Sequence, residues 1–382
     1  MTPLAPGKTL GILGGGQLGR LIAEAAKALG YRTAALDAAK DSPALQVVDV
    51  PVVGGVDDPE AAKRLAECSD LVTLEWELIS PAALEAAARV KPLFPAPSVL
   101  AVIADRLTQK KFLDKHGVPQ TPYGEAASAA DLPYYPVIVK RRSHGYDGKG
   151  QARLNSAADA EKAPDIFAAP CVWEKLVHYQ REISVILARG RDGGIAVYPI
   201  AENLHRGGIL HATRAPAAVS PGVARRAVEI ARGVAEALDH VGVLAVEMFV
   251  LPSERSGEET LLVNEIAPRV HNSGHYTLGA CATSQFEQHV RAVCGLPLGS
   301  VAMKDTAVMV NLLGDLWANG EPDWSKLGNI RGLTLHLYGK SSARPGRKMG
   351  HYVVVGIESA AEWLRADERL ASLRRKQGQA FT

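Results

Sequence analysis

Two glutamates stand inside apolar runs. Glu247 lies within Leu244-Ala245-Val246-Glu247-Met248-Phe249-Val250, and Glu265 within Leu261-Leu262-Val263-Asn264-Glu265-Ile266. An unpaired charge in a buried strand is costly, so each needs a partner. On adjacent antiparallel strands the two carboxylates can share one face. With the Asn264 amide they make hard oxygen ligands, suited to Mg²⁺ carrying phosphates. The competing reading is a pair of buried salt bridges. Directly after follows Ala267-Pro268-Arg269-Val270-His271-Asn272-Ser273-Gly274-His275. There Arg269 could hold an anion, and His271 and Asn272 could donate to a developing oxyanion.

A second constellation is cationic. Lys140 ends the run Val137-Ile138-Val139, and Arg141, Arg142 and the loop Gly145-Tyr146-Asp147-Gly148-Lys149-Gly150 follow. Lysines and loop N–H groups of this kind can cradle a triphosphate. The loop is not a Walker A sequence, because Gly-Lys-Ser/Thr is missing at the required spacing. Downstream, Val172 to Val177 could offer main-chain hydrogen bonds to an adenine. Glu174 and Glu182 are read as lying on one strand pair, with Glu182 accepting from ribose hydroxyls. A third feature is Gly14-x-Gly16-x-x-Gly19, with Asp37 about twenty residues on. This meets the dinucleotide-binding pattern and so allows an NAD(P)-dependent oxidoreductase. The same turn suits any other phosphate at a helix N-terminus, and Gln17 suits a specific polar contact.

The elements that must position these groups are legible in outline. Thr9–Leu13, Thr33–Asp37 and Leu71–Glu75 read as strands alternating with helices over Leu18–Leu29 and Pro59–Cys68, which predicts a parallel sheet. Phe94-Pro95-Ala96-Pro97-Ser98 marks a boundary, so residues 1–100 form an α/β domain. Residues 101–298 read as an α+β body, with antiparallel alternation from Val172 to Val197, a helix over 222–239, and strands Gly242–Val250 and Thr260–Ile266. Residues 299–382 form a small C-terminal part with short strands at Gly332–Tyr338 and His351–Val355 and a closing helix.

Composition narrows the classes. At 382 residues the chain has room for two or three domains. With 43 basic against 41 acidic side chains the net charge is +2, which argues against nucleic acid or an anionic membrane as main partner. The four cysteines form no CxxC pair and read as free thiols. No apolar run approaches the roughly 18 residues of a membrane span, and no signal peptide is legible, so a cytoplasmic protein is expected.

Taken together, six segments resemble the ATP-grasp ligases, and among them the N5-carboxyaminoimidazole ribonucleotide synthetases. They are Gly11–Arg20, Ala104–Lys110, Val139–Arg142, Gly145–Gln151, Asn264–His275 and Arg344–His351, in the family's order along nearly the whole chain. The resemblance implies an ATP-grasp fold with an N-terminal pre-ATP-grasp domain and a small C-terminal domain. It implies carboxylation of 5-aminoimidazole ribonucleotide by ATP and bicarbonate through carboxyphosphate. A related ligase or formyltransferase acting on a similar ribonucleotide is the alternative. It assigns ATP to Arg106, Lys140, the loop Gly145, Tyr146, Asp147, Gly148, Lys149, Gly150 and Gln151, the stretch Glu174, Lys175, Leu176 and Val177, and Glu182, His205, Asn264 and Glu265. It assigns Mg²⁺ to Glu247 and Glu265, and the carboxyphosphate neighbourhood to Arg269, His271 and Asn272. Gly15, Gln17, Leu18, Glu75, Tyr146, Asp147, Arg347 and Lys348 are implied to contact the ribonucleotide, and Arg344 to add a second grip on its phosphate. The first Gly turn would then hold that 5′-phosphate. Asp147 and His271 both remain candidates for the base that deprotonates the amine. A homodimer is the assembly the resemblance suggests.

Overall fold

The computed structural model describes residues 2–143, 145, 150–252, 259–356 and 358–374. The N-terminal part is a parallel sheet of β1 (Thr9–Leu13), β2 (Arg32–Asp37), β3 (Val50–Val53) and β4 (Leu71–Leu74), in the order β3-β2-β1-β4. Every residue of β1 and β4 is buried, as expected of strands covered on both faces. Helix Gln17–Ala28 follows β1 and buries Leu18, Leu21 and Ile22. Gly30 stands just beyond its end at φ +81°, where a side chain would be strained.

A second sheet joins β5 (Tyr123–Ala126), β6 (Val137–Arg141), β7 (Gln151–Leu154) and β8 (Cys171–Lys175) in the antiparallel order β5-β8-β6-β7. The Gly-rich segment falls in sequence between β6 and β7, which pair from Val137 with Leu154 to Lys140 with Gln151.

The third sheet has nine strands: β9 (Arg181–Arg189), β10 (Ile195–Val197), β11 (Ala201–Arg206), β12 (Ile209–Ala215), β13 (Gly242–Leu251), β14 (Thr260–Ala267), β15 (Ala307–Leu313), β16 (Leu333–Leu337) and β17 (Lys348–Val355). Their order is β14-β13-β9-β11-β12-β15-β17-β16, with β10 beside β9. The last three strands therefore extend the central sheet through the β12–β15 pairing. Helix Glu358–Leu373 closes over this end.

The structure corrects one pairing. β8 and β9, carrying Glu174 and Glu182, belong to different sheets, because β8 is taken up by β5 and β6 while β9 lies between β13 and β11. β9 also lacks the amphipathic alternation expected of it. Residues 182–188 are all buried, since Ile183, Val185 and Leu187 pack toward helix Pro221–Ala237 and Ile186 and Ala188 toward helix Gln285–Cys294. β3, β11, β12 and β15 were not legible as strands. The four cysteines are free thiols. Among the described residues, no helix is long and apolar enough to cross a membrane.

Candidate active site

A cleft of about 920 Å³ opens where the three sheets converge. Its walls include Gln17, Leu18 and Glu75 from the N-terminal part, Arg106, Lys140, Gly145 and Gln151 from the middle, and Glu182, His205, Glu247, Asn264, Glu265, Arg269, His271, Asn272, Arg347 and Lys348. Gly15, Gly150, Glu174, Lys175, Leu176, Val177 and Arg344 are not on that surface. Tyr146, Asp147, Gly148 and Lys149 lie outside the described residues.

The acidic end is built by an irregularity. Glu247 on β13 faces Glu265 on β14 in register, but the next pair is Met248 with Val263. Asn264 is the extra residue of this β-bulge. Consecutive strand residues normally point to opposite faces, whereas the bulge re-aims them, and both Asn264 and Glu265 reach the cleft. Glu265 lies 3.2 Å from Arg106. Burial opposes its ionisation, but Arg106 and Lys140 outweigh this and lower its pKa. Glu247 has a different setting. Its ligand atoms and those of Glu182 and His205 all lie within 4.8 Å of one another. Burial first, then the neighbouring Glu182, push the Glu247 carboxyl up to about 8. His205 Nδ1 stands 3.1 Å from Glu182; burial opposes a proton on this imidazole, but the contact with Glu182 prevails and raises its pKa. This cluster of carboxylates is short of positive charge. The oxygens of Glu247 and of its register partner Glu265 are hard donors of the kind that suit a divalent cation.

The cationic end rests on a buried triad. Glu174 Oε2 accepts from Lys140 at 2.9 Å, and Oε1 lies 3.3 Å from Lys110. All three residues are buried. Burial alone would raise the Glu174 pKa, yet the two ammonium groups hold it at about 2. Lys140 also reaches Asn264 Oδ1 at 3.4 Å. The two arginines that follow it have other partners. Arg141, on the opposite face of the strand, donates to the Asp165 carbonyl, while Arg142 lines the cleft with Lys140 but is paired with the Asp105 carboxylate. Arg106 donates to the Gly145 carbonyl at 3.1 Å while pairing with Glu265, tying Gly145 to the acidic end. The Lys175 and Leu176 N–H groups are taken by the Pro122 and Pro136 carbonyls, which removes two of the main-chain donors expected for adenine.

The first Gly turn departs from the expected phosphate site. Gly15 N–H donates to Asp37 Oδ2 at 3.0 Å, Gly19 N–H to Glu75 Oε2 at 2.6 Å, and Gly16 N–H to Glu75 Oε1. A Cβ on Gly14 would stand 2.5 Å from Glu75 Cγ, and one on Gly16 2.5 Å from Oε1. The glycines thus make room for a protein carboxylate at the helix N-terminus. Three donors are consumed, and two carboxylates there would repel a phosphate. Burial raises the Glu75 pKa against the help of these N–H groups.

Opposite this turn, Arg269 makes a bidentate pair with Glu77, one arm at 2.7 Å. His271 is half-buried on the cleft wall, and its pKa is lowered well below the usual value, first by desolvation and then by Arg269 and Lys348. A neutral imidazole is the result. Arg347 and Lys348 face the cleft, while Arg344 is exposed on the turn, its carbonyl accepting from Arg347 N–H at 2.9 Å.

Several groups in the cleft or packed behind its wall escaped the sequence reading. Glu77 sits two residues after Glu75. Tyr179 stacks on Phe249 with ring centroids 4.5 Å apart, and both line the cleft with Ile138. Asn311, inside the apolar β15, carried the same signal as Glu247: a polar residue in the middle of a hydrophobic strand. Gln285 gave none, and Lys110 was read only as part of the segment Ala104–Lys110, without its pairing to Glu174.

Three family models match the chain in succession: a ribonucleotide synthetase preATP-grasp domain over residues 7–104, an ATP-grasp domain over 111–286, and a phosphoribosylaminoimidazole carboxylase C-terminal domain over 307–364. With the acidic and cationic ends facing one cleft, these define an ATP-grasp ligase. N5-carboxyaminoimidazole ribonucleotide synthase of Brucella melitensis is 45% identical over 363 residues, covering 92% of this chain and 97% of that protein. A crystal structure of an N5-carboxyaminoimidazole ribonucleotide synthetase in complex with ADP superposes with a TM-score of 0.89 at 40% identity, covering 98% of this chain and 100% of that one. The enzyme of Aspergillus clavatus in complex with ADP and 5-aminoimidazole ribonucleotide gives 0.85 at 32% identity, covering 95% and 98%. The chain belongs to the N5-carboxyaminoimidazole ribonucleotide synthase family. The NAD(P) alternative falls with this assignment.

Proposed function

We propose that this cleft carboxylates 5-aminoimidazole ribonucleotide with ATP and bicarbonate, yielding N5-carboxyaminoimidazole ribonucleotide, ADP and phosphate in purine biosynthesis. The observation that carries the reading is the facing of Lys140 and Arg106 by Glu247, Asn264 and Glu265 across one cleft. Ile138, Tyr179 and Phe249 form an apolar wall suited to the adenine, and Glu182 and His205 are placed for the ribose. Glu247 and Glu265 would hold Mg²⁺, which when bound supplies charge neutralisation at the transferring phosphate.

The chemistry balances as follows. A bicarbonate oxygen attacks the γ-phosphorus and ADP leaves, forming carboxyphosphate. Its C–O bond then breaks to give CO₂ and phosphate. The exocyclic amine attacks CO₂ and loses one proton. Lys140 and Arg106 draw charge from the triphosphate oxygens. Arg269, His271 and Asn272 surround the carboxyphosphate, with His271 neutral. Arg347 and Lys348 grip the ribonucleotide phosphate, and Gln17, Leu18 and Glu75 line the wall beside its base. In place of the Gly15, Gly16 and Gly19 donors, which are already used, the basic pair 347–348 carries the phosphate. The division 1–100, 101–298 and 299–382, a homodimer and a cytoplasmic location complete the reading.

The test is ADP release in the presence of Mg²⁺, bicarbonate and 5-aminoimidazole ribonucleotide, with radiolabelled bicarbonate incorporation in parallel. Label must enter product only when all three substrates are present. ADP release with no label incorporation refutes the carboxylation, and a substrate panel that favours another ribonucleotide refutes the acceptor.

A further inference from the structure

We propose that Asn311 is a positioning residue for the carboxylation, because it fixes the Asn272 amide so that only an N–H is left to face an anion in the cleft. The proposal rests on the placement of Asn272 beside carboxyphosphate given above.

Asn311 is fully buried on β15, and Asn272 nearly so on the turn that follows β14. The two amides pair in both directions. Asn272 Nδ2 donates to Asn311 Oδ1 at 3.1 Å, and Asn311 Nδ2 donates to Asn272 Oδ1 at 2.7 Å. Asn311 Nδ2 gives its other hydrogen to the Leu210 carbonyl at 2.8 Å. That third bond sets the polarity of the whole relay. A main-chain carbonyl can only accept, so the nitrogen of Asn311 must face it. The same nitrogen then meets the Asn272 oxygen, and a flipped Asn272 would bring donor against donor. Among the described residues, Asn272 Nδ2 makes this one bond only, so one N–H remains on a residue that lines the cleft.

The backbone beneath is locked as well. Gln285 Oε1 accepts from His271 N–H at 2.9 Å, and its Nε2 donates to the His271 carbonyl at 2.7 Å. Among the described residues, Asn311 is the one hydrogen-bond partner of the Asn272 side chain and so sets its orientation. A donor held in advance stabilises developing negative charge without reorganising during the reaction. The C-terminal segment thereby contributes to chemistry through a group that touches no substrate.

The experiment uses Asn311→Leu, Asn311→Ser, Asn272→Ala and the double variant Asn272→Ala/Asn311→Leu in the full chain. Serine leaves room for a water at the Leu210 carbonyl and serves if leucine prevents folding. The Asn311 variants are expected to lower label incorporation at least tenfold and leave the KM for ATP within twofold. ADP formed per carboxylated product should rise above one, because poorly held carboxyphosphate is hydrolysed to bicarbonate and phosphate. If Asn311 acts through Asn272, the double variant will match Asn272→Ala within twofold. Multiplied effects in the double variant, or Asn311 variants with wild-type rate and stoichiometry beside an impaired Asn272→Ala, overturn this proposal alone. A fully active Asn272→Ala overturns both it and the reading of Asn272 on which it rests.

Discussion

Replacing Glu174 by glutamine removes the carboxylate that lies between Lys140 at 2.9 Å and Lys110 at 3.3 Å. Its pKa of about 2 lies about 2.5 below the 4.5 of a free glutamate. At about 1.4 kcal/mol per unit this amounts to about 3 kcal/mol. A depressed carboxylate contributes stability that is complete above its unfolded pKa and lost as pH falls through the folded value. The variant is therefore expected to be less stable by about 3 kcal/mol at pH 7. The gap to wild type should narrow by ~1 kcal/mol at pH 4. With an unfolding entropy of about 2.1 cal/mol/K per residue, the whole chain has about 0.8 kcal/mol/K, so Tm should fall by roughly 4 °C. Differential scanning calorimetry at the two pH values is the assay. Removing one ammonium as well, in Glu174→Gln/Lys110→Met, should recover more than half of the loss, since a like charge then disappears from a buried site. An unchanged Tm in the single variant, or no recovery in the double, refutes the electrostatic reasoning.

Glu265→Gln should abolish turnover, at least a hundredfold in kcat, while the melting curve stays within about 2 °C of wild type. ADP titration by calorimetry in Mg²⁺ should show weakened binding, and an active variant would remove the metal assignment. Lys348→Ala is expected to raise the KM for the ribonucleotide about tenfold or more with little change in kcat, because a ground-state phosphate contact is lost. A kcat effect at constant KM contradicts this. Gly14→Ala places a side chain at φ +105° with its Cβ 2.5 Å from Glu75 Cγ. It should destabilise the chain by more than about 1 kcal/mol and weaken ribonucleotide use. A neutral outcome in both denaturation and kinetics counts against Glu75 as the occupant of the Gly turn.

Much of the chemistry could be read before the fold. Glu247 and Glu265 announced themselves as charges in apolar strands, and they are register partners. Asn311 gave the same signal within Ala307–Leu313 and passed unnoticed, because amides are a weaker anomaly than charges. The Gly14-x-Gly16-x-x-Gly19 turn was legible as a close approach, but not what approaches. Backbone N–H groups accept any anion, and a carboxylate 59 residues away from Gly16 supplies it. Glu174 and Glu182 looked like neighbours because strand periodicity says nothing about which strand pairs with which. Arg344 shares a basic run with Arg347 and Lys348, and only the turn geometry turns it outward.

The sequence by itself determined the residue types, the order of the three parts and the strand carboxylates, since these follow from local periodicity and from the cost of burying charge. Tertiary structure decided the rest. The bulge at Asn264 aims two consecutive side chains into one cleft. The β12–β15 pairing brings the C-terminal strands alongside the central sheet. Partner choice for Arg269, Glu174 and Asn272 depends on groups 192, 34 and 39 residues distant. Local propensity has no term for such separations; they are fixed only when the sheets close and each buried polar group must find the partner that the packing leaves it.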